Sequence, residues 1–376
     1  MSLLELPSNR AEEWRWSDLS ALPAYAEAAP TGDVPADLPW IDCEISGPRL
    51  LFVDGEFDAA GSDPRGVKVS PVRDRPGIQP LADLAGAEAR AGYVIALGAN
   101  GAASGLVQIV HVSTGGAAHL SNRIMLQANA QASVVETHVG TGWSNLTTAV
   151  ELGDSARLMR VIRVLKDGGA HTDFAMASVG AGASYAGVAL VTGADSARIE
   201  HDILVSGAGA YAEAGGALLA RGTQKLEGVT VLRHATPLGT SRQLWRSVAD
   251  DRATCSVMAQ VKVDRHAQKT DAEQSLKGLL LDRGAQINAK PELEIFADDV
   301  KCAHGATVGE LDRNALFYLE SRGVTPDEAK ALLTRSFIAD ALDRVGEEAV
   351  RAACYADVDA WFSTSSLVPS EVEGRP

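Results

Sequence analysis

Gly180-Ala-Gly-Ala-Ser-Tyr-Ala-Gly-Val-Ala-Leu-Val-Thr-Gly193-Ala-Asp-Ser-Ala-Arg-Ile-Glu-His-Asp-Ile-Leu-Val-Ser-Gly207-Ala-Gly-Ala210 decides the fold. Short apolar strands alternate here with turns of Gly, Ala, Asp and Ser. The turns begin at Gly180, Gly193 and Gly207, so they lie 13 and 14 residues apart. The same style of turn occurs upstream at Gly153-Asp-Ser-Ala. Downstream, Asp251-Arg-Ala, Asp264-Arg-His-Ala and Asp282-Arg-Gly-Ala take the same role. A short fixed period with strand content indicates a solenoid. Each coil buries little by itself, so neighbours must stack to close a core, and small corner residues let them approach.

Composition agrees with this reading. The chain has 376 residues, of which 46% are hydrophobic but only 5% aromatic, with 36 glycines. A parallel β-helix fits best. A β-sandwich or propeller, the alternatives, generally use more aromatic residues per repeat. The expected organisation is a mixed N-terminal domain over 1–90, a β-helix over 91–310 and a helical C-terminal domain over 311–376. A formal charge of −15 argues against nucleic acid and anionic membrane as main partners. No apolar run approaches the roughly 18 residues of a membrane span. The first residues carry no basic start or apolar signal core, and Cys43, Cys255, Cys302 and Cys354 are scattered without a CxxC. A cytoplasmic location with reduced thiols is therefore expected.

Outward from the repeats, the N-terminal part has a helix-prone piece bearing Trp14 and Trp16 and a Pro-rich linker over 30–40. Leu50-Leu-Phe-Val-Asp-Gly55 predicts a strand and a hairpin turn. Residues 67–72 predict a second strand, and residues 81–91 a helix. At the other end, residues 311–322 predict a helix closed by Gly323. Thr325-Pro-Asp-Glu328 predicts a capped helix start, with Thr as N-cap and Glu reaching back. Ala329, Leu332, Leu333, Ala341, Leu342 and Val345 follow at helical spacing, and Phe337 and Ile338 widen the stripe beyond what one contact needs. A last helix over 347–362 carries Val350, Cys354, Val358 and Trp361 on one face, followed by a polar tail that is expected to fray.

Few stretches carry chemistry. Gly207-Ala-Gly-Ala-Tyr-Ala212 matches a loose dinucleotide-binding pattern, but no helix pattern follows it, as such a site requires. No Walker A, HExxH or GxSxG sequence occurs. His111, His119, His138 and His171 are spread through the repeats, where a solenoid can bring distant residues together. Glu200-His201 lies on a predicted strand and reads as structural. The clearest constellation is Val300, Cys302 and His304. These residues sit two apart and so share one face of an extended segment, which Gly305 is expected to end. A thiol and an imidazole held side by side can bind iron. They can equally be a core-filling cysteine and a histidine donating to a backbone carbonyl.

Several segments then converge on one family. Ala267-Gln-Lys-Thr-Asp-Ala272, Leu279-Leu-Leu281, Lys290-Pro-Glu-Leu-Glu-Ile295, Asp298-Asp-Val-Lys-Cys-Ala-His-Gly-Ala-Thr307 and Leu316-Phe-Tyr-Leu-Glu-Ser-Arg-Gly323 closely resemble the SufB/SufD family of iron–sulfur cluster assembly proteins. Glu12-Glu-Trp-Arg-Trp-Ser-Asp-Leu19 resembles the entry motif of the SufD branch, where Tyr-Thr is more usual in place of Trp16-Ser17. The chain is shorter than typical SufB members, and Cys255 lies in a context unlike that of the SufB cluster-bearing cysteine. The SufD branch is therefore the better match. The resemblance implies a non-catalytic scaffold working with a SufB-like protein and a SufC-like ABC-type ATPase that docks on the C-terminal helices. Leu333, Phe337 and Ile338 are the expected docking residues. Cys302 and His304 match the family's Cys-x-His positions at the junction with SufB. They would form a half-site for iron or an iron–sulfur cluster held transiently, with the partner supplying the other ligands and no cofactor expected in the isolated chain. Open strand edges predict a homodimer when the chain is isolated. A SufB-like cluster-bearing scaffold and a β-helix enzyme acting on carbohydrate are the alternative functions.

Overall fold

A computed structural model describes residues 6–73, 77 and 79–365. The core is a parallel β-solenoid. It begins at β1 (Ser46–Val53), which turns through Asp54-Gly55 into the antiparallel β2 (Glu56–Asp63). Asp54 has φ 49° and Gly55 φ 80°, the positive pair that a tight hairpin turn requires. β3 (Lys68–Val69) is shorter than expected, and a helix, α2 after the short α1 (Leu22–Glu27), occupies Pro80–Glu88. β4 (Tyr93–Leu97) precedes two long strands, β5 (Leu106–Leu126) and β6 (Gln131–Leu152), each of which passes through a corner and serves both faces. The strands that follow keep to one face each. They are β7 (Arg157–Val164), β8 (Ala170–Val179), β9 (Ser184–Val191), β10 (Ser196–Val205), β11 (Tyr211–Ala220) and β12 (Lys225–His234). The series continues with β13 (Thr240–Ala249), β14 (Thr254–Val263), β15 (Asp271–Leu280), β16 (Gln286–Ile295) and β17 (Lys301–Glu310).

Odd-numbered strands pair in parallel with odd-numbered ones from β7 to β17, and even with even from β6 to β16. The interval of 13 to 14 residues in the sequence is thus half a rung. Ser184, Tyr211 and Thr240 face one another across β9, β11 and β13, making the full rungs there 27 and 29 residues long (211 − 184 and 240 − 211). The corners explain the small residues. A Cβ on Gly207 would lie 1.9 Å from the backbone nitrogen of Ala181 in the rung below, and one on Gly193 would lie 2.2 Å from the Lys166 carbonyl oxygen. Gly207–Ala212 is such a corner, running into a strand and not a helix.

Two apolar clusters fill the solenoid. One runs from Leu50 and Phe52 to Ala297, and the other from Ile162 to Leu276. The N-terminal segment covers the outer face of the even strands, where Trp14, Leu22 and Leu81 pack on Trp143 and Ala170. The outer face of the odd strands is covered by α4 (Pro326–Leu342) and α5 (Glu348–Ser365), after a surface helix α3 (Arg313–Ser321). Thr325 caps α4 as expected: its hydroxyl accepts from the Glu328 N–H, and the Glu328 carboxylate accepts from the Thr325 N–H. Val350, Cys354, Val358 and Trp361 form the buried stripe of α5. Ion pairs fasten the helices to the strands, Arg163 to Asp357 at 2.8 Å and Arg246 to Asp340. No helix is long and apolar enough to cross a membrane among the described residues.

Candidate functional site

Cys302 and His304 lie on the last strand. β17 pairs along one edge with β15, and among the described residues no strand pairs with its other edge. The strand runs through Gly305 to Glu310, where the sequence suggested an earlier end; a Cβ at Gly305 would meet nothing within 4 Å. Cys302 stands opposite Ala272, His304 opposite Gln274 and Ala306 opposite Leu276. Ala272, Gln274 and Leu276 are all buried, Ala272 and Leu276 in the two apolar clusters that fill the solenoid, so Cys302 and His304 continue its inner columns onto the final, uncovered rung. Cys302 is half-buried against the core, and burial raises its thiol pKa. His304 is exposed and makes no side-chain hydrogen bond among the described residues. The rung around them stays open: Ile295, Phe296 and Val308 expose 39%, 50% and 46% of their surface.

The column that ends at His304 can be followed inward through the ladder. Its successive members are Gln274, Gln243, Ala214, Gly187 and Arg160. Gln274 Nε2 donates to Gln243 Oε1 at 2.7 Å. At the inner end Arg160 is completely buried. Its Nε donates to Glu136 Oε1 at 2.6 Å, and its Nη1 and Nη2 donate to Asp173 Oδ1 and Oδ2 at 3.1 and 3.0 Å. Such a fork on two carboxylates is what lets a guanidinium remain charged in an apolar interior.

Beside this ion group the structure gathers three of the dispersed histidines. His111 and His138 face each other across β5 and β6, with rings 4.4 Å apart and 3° from parallel. His171 lies 4.4 Å from His138 at 57°, and Phe52 stacks on the far side of His111. All three histidines are buried, and none of their six ring nitrogens has a hydrogen-bond partner. Burial drives His138 and His171 well below the ordinary imidazole range, leaving them neutral. Burial pushes the Glu136 carboxyl up, but Arg160 and His111 outweigh it and hold the group below the usual carboxylate range. Lys166, lowered to about 7 by burial, donates to Thr141 O and Ser144 Oγ nearby.

Other candidates stay apart. His119 lies outside the solenoid, edge-on to Trp143 and 3.1 Å from Asn145 Nδ2. His201 is buried in the interior 3.4 Å from the Tyr185 hydroxyl, while its neighbour Glu200 faces outward and binds Arg198 and Gln79. Among the expected docking residues, Ile338 has no exposed surface and belongs to the α4–α5 packing, so it has nothing to offer a partner. Phe337 is half-buried against the same cluster, and Leu333 is half-buried. The exposed apolar groups here are Phe317 at 72%, Tyr318 at 56% and Leu332 at 51%. Glu136, Arg160 and Asp173 escaped the sequence reading. The available signal was the 27-residue spacing of His111 and His138, which is one full rung.

Residues 108–337 match the profile of the SufBD core domain of the SUF system for FeS cluster assembly. The chain is 25% identical over 370 residues to the iron-sulfur cluster assembly protein SufD of Escherichia coli, covering 92% of this chain and 87% of that protein. It is 25% identical over 383 residues to the SufBD family protein slr0076 of Synechocystis, covering 91% and 84%. A shorter match, 37% over 130 residues, joins it to the chloroplastic protein ABCI7 of Arabidopsis thaliana, covering 34% and 27%.

Proposed function

The chain belongs to the SufBD family of iron–sulfur cluster assembly proteins, and we propose that it acts there as a SufD-like, non-catalytic scaffold. The observation that carries this reading is the uncovered last rung. An unpaired solenoid edge with apolar groups exposed and a Cys-x-His pair on its inner face suits the addition of a partner's strands. A SufB-like protein is the partner whose end rung would continue the ladder. Cys302 and His304 would then supply two donors to an iron–sulfur cluster, the cargo of assembly, and the partner the rest. One sulfur and one imidazole suit iron. Cys255 supports SufD over SufB: it is fully buried, and burial pushes its thiol up to about 12, far from a reactive thiolate. A SufC-like ATPase would dock on the exposed side of the C-terminal helices, around Phe317, Tyr318 and Leu332, with Leu333 and Phe337 at the margin.

The test is His304→Ala in the chain co-purified anaerobically with its SufB-like and SufC-like partners. His304 is exposed, so thermal stability and complex recovery should match the parent while iron–sulfur loading falls severalfold. Cys302→Ser should reduce loading less, because part of its role is to fill space. Normal loading in the His304→Ala complex would reject the half-site.

A further inference from the structure

The histidine chamber lies inside the solenoid, away from the junction, and has no part in the reading above. Its polar atoms are in an unusual position. Burying a polar group without a partner is costly, because the hydrogen bonds it made to water are not replaced. Here six imidazole nitrogens and Glu136 Oε2 are buried without a hydrogen-bond partner, the nearest approach being His111 Nε2 to Glu136 Oε2 at 3.6 Å. One nitrogen each from His111 and His138 and a Glu136 oxygen lie within 4.8 Å of one another, and His138, His171 and Asp173 satisfy the same limit. The first set is the better donor set. Both Asp173 oxygens are engaged by Arg160, whereas Glu136 gives only Oε1 to Arg160 and turns Oε2 toward His111 Nε2, 3.6 Å away.

We propose that His111, Glu136 and His138, with His171 alongside, form a buried binding site for a divalent first-row transition-metal ion such as ferrous iron. The donors are imidazole nitrogen and carboxylate oxygen without sulfur, a set that suits iron, cobalt or zinc more than copper(I) or calcium. The two carboxylates face the Arg160 guanidinium, and Lys166 is a second cation whose charge reaches His138 and His171, so the donor set and not a net negative charge carries the site. The parallel rings of His111 and His138 present their lone pairs side by side. One ring must therefore turn about its Cβ–Cγ bond for both to point at the ion, a torsion that is broad for histidine. The competing account is a stack of imidazoles bridged by buried water, which satisfies the same nitrogens without a metal.

Anaerobic titration of the full-length chain with cobalt(II), followed by visible absorption and metal analysis after desalting, distinguishes the two accounts. The chain is used with Cys302→Ser and His304→Ala together, which removes the junction donors. One tightly held equivalent with ligand-field bands is expected, released only slowly to a chelator because every donor is buried. Adding His138→Phe, which keeps a stacked ring but no donor, should weaken binding at least about tenfold. X-ray absorption of the ferrous-iron form of the double variant should show nitrogen and oxygen neighbours, imidazole scattering and no sulfur. This measurement decides the matter even if His138→Phe does not fold. Failure to retain cobalt, retention unchanged by His138→Phe in a folded chain, or a sulfur shell around iron would each overturn the proposal.

Discussion

Arg160 shows how a charge is kept in this interior. Four of its five N–H donors are matched by Glu136, Asp173 and the Thr148 hydroxyl, so the guanidinium is well paired. His201, midway along β10 and fully buried, is treated differently: burial lowers its pKa from 6.5 to about 3, and it stays neutral. His119 and His234 move in the same direction, each to about 4, and burial is again the cause. The sign of the pH effect follows. Between the folded and unfolded pKa values the unfolded chain binds more protons, so stability is complete above about pH 6.5 and falls as the medium is acidified toward 3. One such group contributes a slope of up to about 1.4 kcal/mol per pH unit. Urea unfolding at about pH 7 and about pH 5 should show a clear drop in midpoint, smaller in His201→Gln; equal midpoints would contradict the burial of these imidazoles. The sequence did not reveal this chamber. Composition and spacing identified the rungs, but which side chains meet inside depends on register. His138 meets His171 across a fold between two faces, and no local pattern encodes that encounter.

The C-terminal helix α4 was far more legible, because its signals are local. Its N-cap, its Pro at the first turn and its apolar stripe lie within a few residues of one another and hold in the structure. What local pattern could not assign was the use of each apolar residue. Ile338 and Leu342 face the solenoid and α5, whereas Leu332 is exposed. These roles separate by mutation. Ile338→Ala should destabilise the chain by about 2–4 kcal/mol, since it deletes fully buried carbon and leaves a cavity. Leu332→Asp should leave the unfolding midpoint nearly unchanged but lower affinity for a SufC-like ATPase, measured by titration calorimetry. Unaltered affinity would move the docking surface off this helix. The β-solenoid was legible in a similar way, through its corners. Glycine and alanine recur there because a side chain would collide with the backbone of the next rung. The half-rung and the full rung share those corners, and only the pairing of β9 with β11, not with β10, separates them.

The whole molecule has two unlike ends. At the first, β1 is bordered by the antiparallel β2, so the solenoid stops in a hairpin. At the second, β16 and β17 each pair on one side only, with Ile295, Phe296 and Val308 exposed around inner columns that have no cover among the described residues. Sheet edges of this length are normally blunted or paired. Without a SufB-like partner, the self-complementary solution is a second copy of the same chain, placed end to end about a two-fold axis. We expect light scattering on the isolated chain to give a dimer at micromolar concentration. Ala306→Lys with Val308→Lys places like charges face to face across that axis. Both residues are exposed in the single chain, so the variant should keep its circular dichroism and thermal midpoint while becoming monomeric. The same change should impair capture of a SufB-like partner, because homodimer and heterodimer would compete for one edge. A parent chain that is monomeric, or a dimer indifferent to the two lysines, would mean that the open rung is not the surface through which copies associate.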